Sequence, residues 1–165
     1  MEGIVGMIKM VLSSSETSEW LPCDGRPLLM DDFPELLKVI GYRFGGGMDQ
    51  FCLPNLPPQN NAHFMIKVKS GPADANFKGI VAQMVLWPAA DLPAGWLPCD
   101  GRLVHAAEYP LLQKVVATGN PALNGPVFHL PQGPSIPEIV YIICVEGQDP
   151  TAGANGPVVQ DDDDY

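Results

Sequence analysis

The heptapeptide Trp20-Leu21-Pro22-Cys23-Asp24-Gly25-Arg26 returns letter for letter as Trp96-Leu97-Pro98-Cys99-Asp100-Gly101-Arg102, an offset of 76 from position 20 to position 96. The same offset pairs Phe33-Pro34 with Tyr109-Pro110, Leu36 with Leu112, Lys38 with Lys114, and Val39-Ile40 with Val115-Val116. One residue later in the count, Phe51-Cys52-Leu53-Pro54 meets Phe128-His129-Leu130-Pro131, so the second half carries one more residue in the loop between. Loops are where such insertions are tolerated. The apolar run from Ile4 to Leu12 matches that from Ile80 to Leu86, and Phe64-Met65-Ile66-Lys67-Val68 is matched with Val140-Tyr141-Ile142-Ile143-Cys144.

Solenoids and propellers repeat every 20 to 50 residues or so, and this period is longer, so the unit that repeats is a small domain. The expected division is a first repeat over 1–71, a turn-rich linker over 72–79, a second repeat over 80–147, and a tail rich in Pro, Gly and Asp over 148–165. Each repeat lies near the lower size limit for independent folding. The two are therefore expected to pack together as a pseudo-twofold pair.

Within each repeat the opening segments, about 4–12 and 80–87, are β-branched and apolar and predict strands. In Asp31-Asp32-Phe33-Pro34-Glu35-Leu36-Leu37-Lys38-Val39-Ile40-Gly41 an acidic cap precedes a proline, apolar residues fall at helical spacing, and glycine follows. This predicts a short amphipathic helix, repeated from Tyr109 to near Gly119. Segments 64–69 and 138–145 predict closing strands. The fold class is α+β: two small tandem units, each of a few strands and one helix, loop-rich, with an extended acidic tail.

Composition narrows the partners. The formal net charge is -10, with nine Lys plus Arg against nineteen Asp plus Glu, and no basic stripe is present to neutralise phosphates. Nucleic acid is not an expected partner, nor is insertion into a membrane, since no apolar run approaches the length of a span. The N-terminal residues Met1 to Val5 lack the features of a signal peptide. Cys23, Cys52, Cys99 and Cys144 form no C-x-x-C pair and are expected as reduced, mostly buried thiols.

An apolar strand, Pro93-Ala94-Gly95-Trp96-Leu97-Pro98-Cys99-Asp100-Gly101, a Tyr109-Pro110-Leu111-Leu112 helix and Phe128-His129-Leu130-Pro131 form an ordered set. The first half supplies Trp20 to Arg26, Phe33-Pro34-Glu35-Leu36, Gly45-Gly46-Gly47 and Phe51-Cys52-Leu53-Pro54-Asn55-Leu56. This set resembles the phage tail collar domain and the related microcystin-dependent-protein family. Two departures stand out: Thr17-Ser18-Glu19 replaces Pro-x-Gly before Trp20, and Leu56 runs into Pro57-Pro58 instead of an Arg-Gly-Arg segment.

The resemblance implies a non-enzymatic structural component of a phage or phage-like tail particle, a tail fibre, collar or baseplate connector or cap, assembled in the bacterial cytoplasm. It implies other particle proteins as partners, a homo-oligomer with a trimer favoured, and no cofactor. The alternative is a module that binds a receptor or glycan on the host surface, for which Tyr42, Phe44 and Phe51 are candidate stacking residues.

The residues themselves favour structure over chemistry. Trp20, Cys23, Asp24, Gly25 and Arg26, with Trp96, Cys99, Asp100, Gly101 and Arg102, read as a tight turn in which glycine takes positive φ and aspartate bonds back to the backbone. His63, His105 and His129 are scattered without metal-ligand spacing, and neither a catalytic group nor a metal site is assigned. The tail end, Asp161, Asp162, Asp163, Asp164 and Tyr165, reads first as a solvated run kept extended by charge repulsion, and is as an alternative a candidate arm that docks on a basic groove of a neighbouring subunit.

Overall fold

The computed structural model describes residues 1–152; the end of the tail, including Asp161 to Asp164 and Tyr165, lies outside the described residues. In chain order the first repeat contributes β1 (Ile8–Val11), β2 (Trp20–Pro22), β3 (Pro27–Leu29), α1 (Pro34–Ile40), β4 (Gly46–Gly47), β5 (Gln50–Cys52) and β6 (His63–Lys67). The second contributes β7 (Met84–Trp87), β8 (Trp96–Pro98), β9 (Leu103–His105), α2 (Pro110–Gly119), β10 (Val127–His129) and β11 (Val140–Cys144). Short strands predominate, with one α-helix per repeat.

Six strands from both repeats form one antiparallel sheet in the order β2-β6-β1-β7-β11-β8. Replacing each strand by its counterpart in the other repeat reverses this order into itself, the arrangement that a local twofold produces. The repeats meet where β1 pairs with β7, through Ile8 opposite Leu86. The outer borders are β2 and β8, three residues each, which end in Pro22 and Pro98.

The register corrects the match between closing strands. Trp20 stands opposite Lys67 and Trp96 opposite Cys144, so β6 and β11 correspond with an offset of 77, and Phe64 answers to Tyr141 and Lys67 to Cys144. The extra loop residue of the second half therefore persists to the end of the repeat. The opening strands are shorter than expected, because Ile4 to Met7 form a turn with Gly6 at φ +96°. The corresponding turn before β7 holds Ala82 at φ +72°, a conformation costly for a residue with a Cβ.

One face of the sheet carries two cores. In the first, Leu36 and Ile40 of α1 pack with Phe51, Leu53, Ile8 and Ile66; in the second, Leu112 of α2 packs with Val104, Phe128, Leu130 and Ile143. Leu86 of the second repeat joins the first core, and Tyr141 packs against both, so the cores are coupled. On the other face Met7, Val85, Trp87, Trp96, Ile142 and Cys144 form a third cluster.

Both helices begin at the proline, and α1 lacks the acidic cap expected from Asp31-Asp32. Phe33 (φ -134°, ψ 55°) and Tyr109 (φ -132°, ψ 63°) are the N-caps, with no side-chain cap bond. Proline disfavours the helical region for the residue before it, which fixes the start and leaves Asp31 and Asp32 in the preceding turn. Gly41 (φ 52°) ends α1 with its N–H on the Leu37 carbonyl at 2.8 Å. The second helix runs on to Gly119.

Candidate functional site

The heptapeptide begins as an edge strand of the sheet and ends as a turn, with the same geometry twice. Cys23 donates its N–H to the Phe64 carbonyl at 2.9 Å, and Cys99 does the same to Tyr141 at 2.8 Å. Gly25 (φ +78°) donates to the Pro54 carbonyl and Gly101 (φ +76°) to Pro131, at 3.0 and 3.2 Å. Positive φ there favours glycine, and a Cβ on Gly25 would crowd Asn55 at 3.2 Å. The Phe-x-Leu-Pro segment of each repeat is thus tied to the turn: Leu53 N–H bonds Arg26 O at 3.0 Å and Leu130 N–H bonds Arg102 O at 2.9 Å.

Asp24 accepts the Arg26 N–H at 3.2 Å and a forked contact from its guanidinium at 3.0 and 2.7 Å. Asp100 accepts the Arg102 N–H at 3.1 Å and its guanidinium at 3.0 and 2.8 Å. The side-chain bonds from these arginines hold both carboxyls below the usual carboxylate range. Burial pushes the Cys23 thiol up to about 12 and those of Cys99 and Cys144 up to about 11, so all three remain protonated near neutral pH and are poor nucleophiles. The four cysteines are unpaired.

Beside Trp20 the repeats part company. Lys67 lies fully buried in β6, its ammonium 2.6 Å from Glu19 and 2.5 Å from Asp74, and 5.3 Å from the centre of the Trp20 ring. Asp74, whose side chain is 8 % exposed, also accepts the N–H groups of Gly3 at 3.0 Å and Gly71 at 2.8 Å. The carboxylate thereby fastens the N-terminal segment and the Pro72–Asp74 turn to the sheet. Burial alone would raise the Asp74 carboxyl and lower the Lys67 ammonium; their mutual hydrogen bonds, with Glu19 and the two backbone N–H groups, reverse both directions.

The sequence reading missed this triad, although two signals mark it together. Glu19 occupies the place of Gly95, and Lys67 the place of Cys144: one charge of each sign appears in the first repeat and neither in the second. The expected offset for the closing strands put Lys67 opposite Ile143 and hid the pairing.

The candidate stacking residues do not form a surface. Phe51 is 0 % exposed in the first core and Phe44 packs against that core, leaving Tyr42 exposed with its hydroxyl on Met30 Sδ at 3.5 Å. Three aromatic residues close in sequence to a glycine loop have gone mostly to the interior, the usual fate of large apolar side chains in a small domain. His129 Nδ1 lies 2.9 Å from the Gly101 carbonyl, beside the second turn. Among the described residues no group of three or more His, Cys, Asp or Glu could hold a metal ion. No described helix is long and apolar enough to cross a membrane.

A cross-repeat tie lies near the second turn. Arg43 reaches Glu138 through its carboxylate and its carbonyl, both at 3.0 Å, over a cleft of about 370 Å³ that Asp100, Gln132 and Tyr141 help line.

No curated protein and no solved structure matches the chain. The family model for the phage tail collar domain matches two segments, residues 6–59 and 82–131, one in each repeat. Each matched segment runs from the opening strand through the heptapeptide and helix to or beyond the Phe-x-Leu-Pro strand, and together they cover more than half of the sequence. The chain belongs to the phage tail collar domain family, with two tandem copies of the domain.

Proposed function

We propose that this protein is a non-enzymatic connector or cap in a phage tail, acting through contacts with other tail proteins. The observation that carries this reading is the fusion of two collar units, 1–71 and 80–147 joined over 72–79, through one six-stranded sheet of self-reversing order. Such a chain offers two similar but non-identical faces from one rigid piece. A trimer would set six collar units around a threefold axis and so join threefold to sixfold parts of a tail.

In this reading the two heptapeptide turns are structural. They brace the edge strand of each repeat against its Phe-x-Leu-Pro segment, and the aspartate–arginine forks set the turn. The acidic tail end is an arm for a basic surface on a neighbouring protein.

Light scattering of the purified protein over a range of concentrations tests the proposal. A trimer that persists after removal of residues 149–165 is the expected result. A monomer at every concentration, with and without the tail, would remove the threefold connector.

A further inference from the structure

Most of the cations in this acidic chain already meet a carboxylate: Arg26, Arg43, Lys67, Arg102 and Lys114. Lys9, Lys38, Lys69 and Lys78 have none at salt-bridge distance among the described residues. Lys38 lies on α1, and Lys69 stands over the ring of Phe33 just before it. Lys9 and Lys78 come together elsewhere. Both line one cleft of about 360 Å³, beside Glu2, Phe77, Ile80 and Gln148.

The Lys9 ammonium is held in place without being neutralised. It donates to the Glu2 carbonyl at 2.7 Å and stands 5.3 Å from the centre of the Phe77 ring, contacts that fix its position but carry no full negative charge. Burial lowers its pKa and the Lys67 ammonium adds to this, while the Glu2 and Asp74 carboxylates oppose it only in part. Lys78 is exposed, and Glu2 is the one carboxylate among the described residues that line the cleft. In a chain of net charge -10 this is a local cationic site, and a partly desolvated ammonium gains from a carboxylate that reaches it. The site is not repeated: at the offset of 76, Lys9 falls at Val85 and Glu2 at Lys78, so each chain carries one.

We propose that this cleft receives the acidic end of a second copy of the chain, residues 161–165, with Asp161 to Asp164 on Lys9 and Lys78 and the Tyr165 ring on Ile80. The proposal rests on the reading of that end as an arm for a neighbouring protein, and it names the neighbour. Charge selects the occupant, since Asp161 to Asp164 is the one run of four carboxylates in the sequence. Ile80, 46 % exposed, offers the aromatic residue an apolar surface beside the lysines. The start of the arm favours a neighbour's cleft over the chain's own. Gln148 lines the cleft, its N–H on the Gly79 carbonyl and its carbonyl on the Val81 N–H, both at 2.9 Å. Asp149 then contacts Lys114 of α2 on the helix face of the sheet, whereas Phe77 packs against the cluster on the opposite face. The chain thus leaves its own cleft behind, and the stretch from Asp149 to Asp161 spans up to about 40 Å when extended. One arm and one cleft per chain join head to tail, a pattern that closes into a ring.

The experiment mixes two forms of the full chain at about 1 mM each, enough to fill a good part of a site with a Kd of that order. One is ¹⁵N-labelled and carries Asp161→Asn, Asp162→Asn, Asp163→Asn and Asp164→Asn, so its cleft is intact and its own arm is neutral. The other is the unlabelled natural sequence. The Lys78 and Gly79 amide resonances are expected to move on mixing at about 0.05 M salt and to return at about 1 M, where the Debye length is about 3 Å. Adding Lys78→Glu to the labelled chain, a change at an exposed position, should weaken binding about fivefold. Resonances that stay in place at low salt, the result also expected if each arm filled its own cleft, would overturn the proposal, as would equal binding by Lys78→Glu. Light scattering on the same mixtures reports the trimer separately. A trimer with unmoved resonances removes the docking and leaves the connector; moved resonances without a trimer do the reverse.

Discussion

Around Trp20 the first repeat is closed by a buried charge cluster, whereas around Trp96 the second is closed by backbone contact, with the Gln148 N–H on the Gly79 carbonyl at 2.9 Å, although the seven residues that begin at each tryptophan are identical. The difference lies in what surrounds the motif: Glu19 against Gly95, Lys67 against Cys144, and a linker that folds back with Asp74 against a chain that leaves toward α2. A duplicated domain can thus keep its frame and diverge at a single cluster. A buried ammonium is sustainable only with its counter-charges, so the three residues belong together as a set.

The sharpest way to break this comparison is Lys67→Met. It strands the Asp74 carboxylate beside the sheet and should cost about 4 kcal/mol, read as a shift in denaturant midpoint. The combined change Glu19→Gly, Lys67→Cys and Asp74→Thr, which gives the first site the residues of the second, should cost less than Lys67→Met alone, because no buried charge is left unmatched. If the triple variant is the less stable of the two, the triad is not a set.

The triad also sets a pH dependence. The Asp74 carboxyl is held below its ordinary value of 3.8, so its contribution is present above that value and disappears as the pH falls through the lower folded value. Lys67 is held above 10.5, so its contribution is present below that value and is lost as the pH rises through the higher one. Acid titration below about pH 4 should therefore destabilise the native chain more than Asp74→Asn, measured as unfolding midpoint against pH.

Leu36→Ala and Leu112→Ala probe equivalent core positions, each 0 % exposed, and each should cost about 3 kcal/mol. Because Leu86 and Tyr141 couple the cores, calorimetry should show one transition in both variants. Two transitions would mean that the halves unfold separately. Ala82→Gly should stabilise the protein by about 1 kcal/mol, since Ala82 holds the positive φ that Gly6 holds in the first repeat. Arg43→Ala removes a solvent-exposed tie between repeats and should change stability by no more than about 0.5 kcal/mol.

The heptapeptide, the Phe-Pro and Tyr-Pro helices and the closing strands were legible because their signals are local: a repeated turn, a proline followed by apolar residues at helical spacing, an apolar run. The single sheet was not, because its junction rests on one pair, Ile8 opposite Leu86, which no sequence pattern marks. The closing strands lie outside both matched collar segments, yet β6 and β11 sit between β1 or β7 and the sheet's borders. The register error of one residue had a large consequence. It set Lys67 against Ile143 instead of Cys144, so the residue that stands in the place of the first repeat's buried ammonium was misidentified.

The same limits applied to the site. The aspartate–arginine turn could be read from Asp-Gly-Arg alone, since its bonds span two residues. The triad joins residues 19, 67 and 74, and the unpartnered Trp96 indole is defined by an acceptor that fails to arrive. Only the comparison of one repeat with the other, made in the correct register, exposes either.

The proline-ended borders of the sheet, β2 and β8, bear on how such chains can live side by side. An edge strand with free backbone groups invites the next copy to add its own strand, and repetition of that step yields a fibre of indefinite length. Three-residue borders closed by Pro22 and Pro98 give little purchase for it. The borders of the sheet thus carry their own stop against strand addition from one chain to the next.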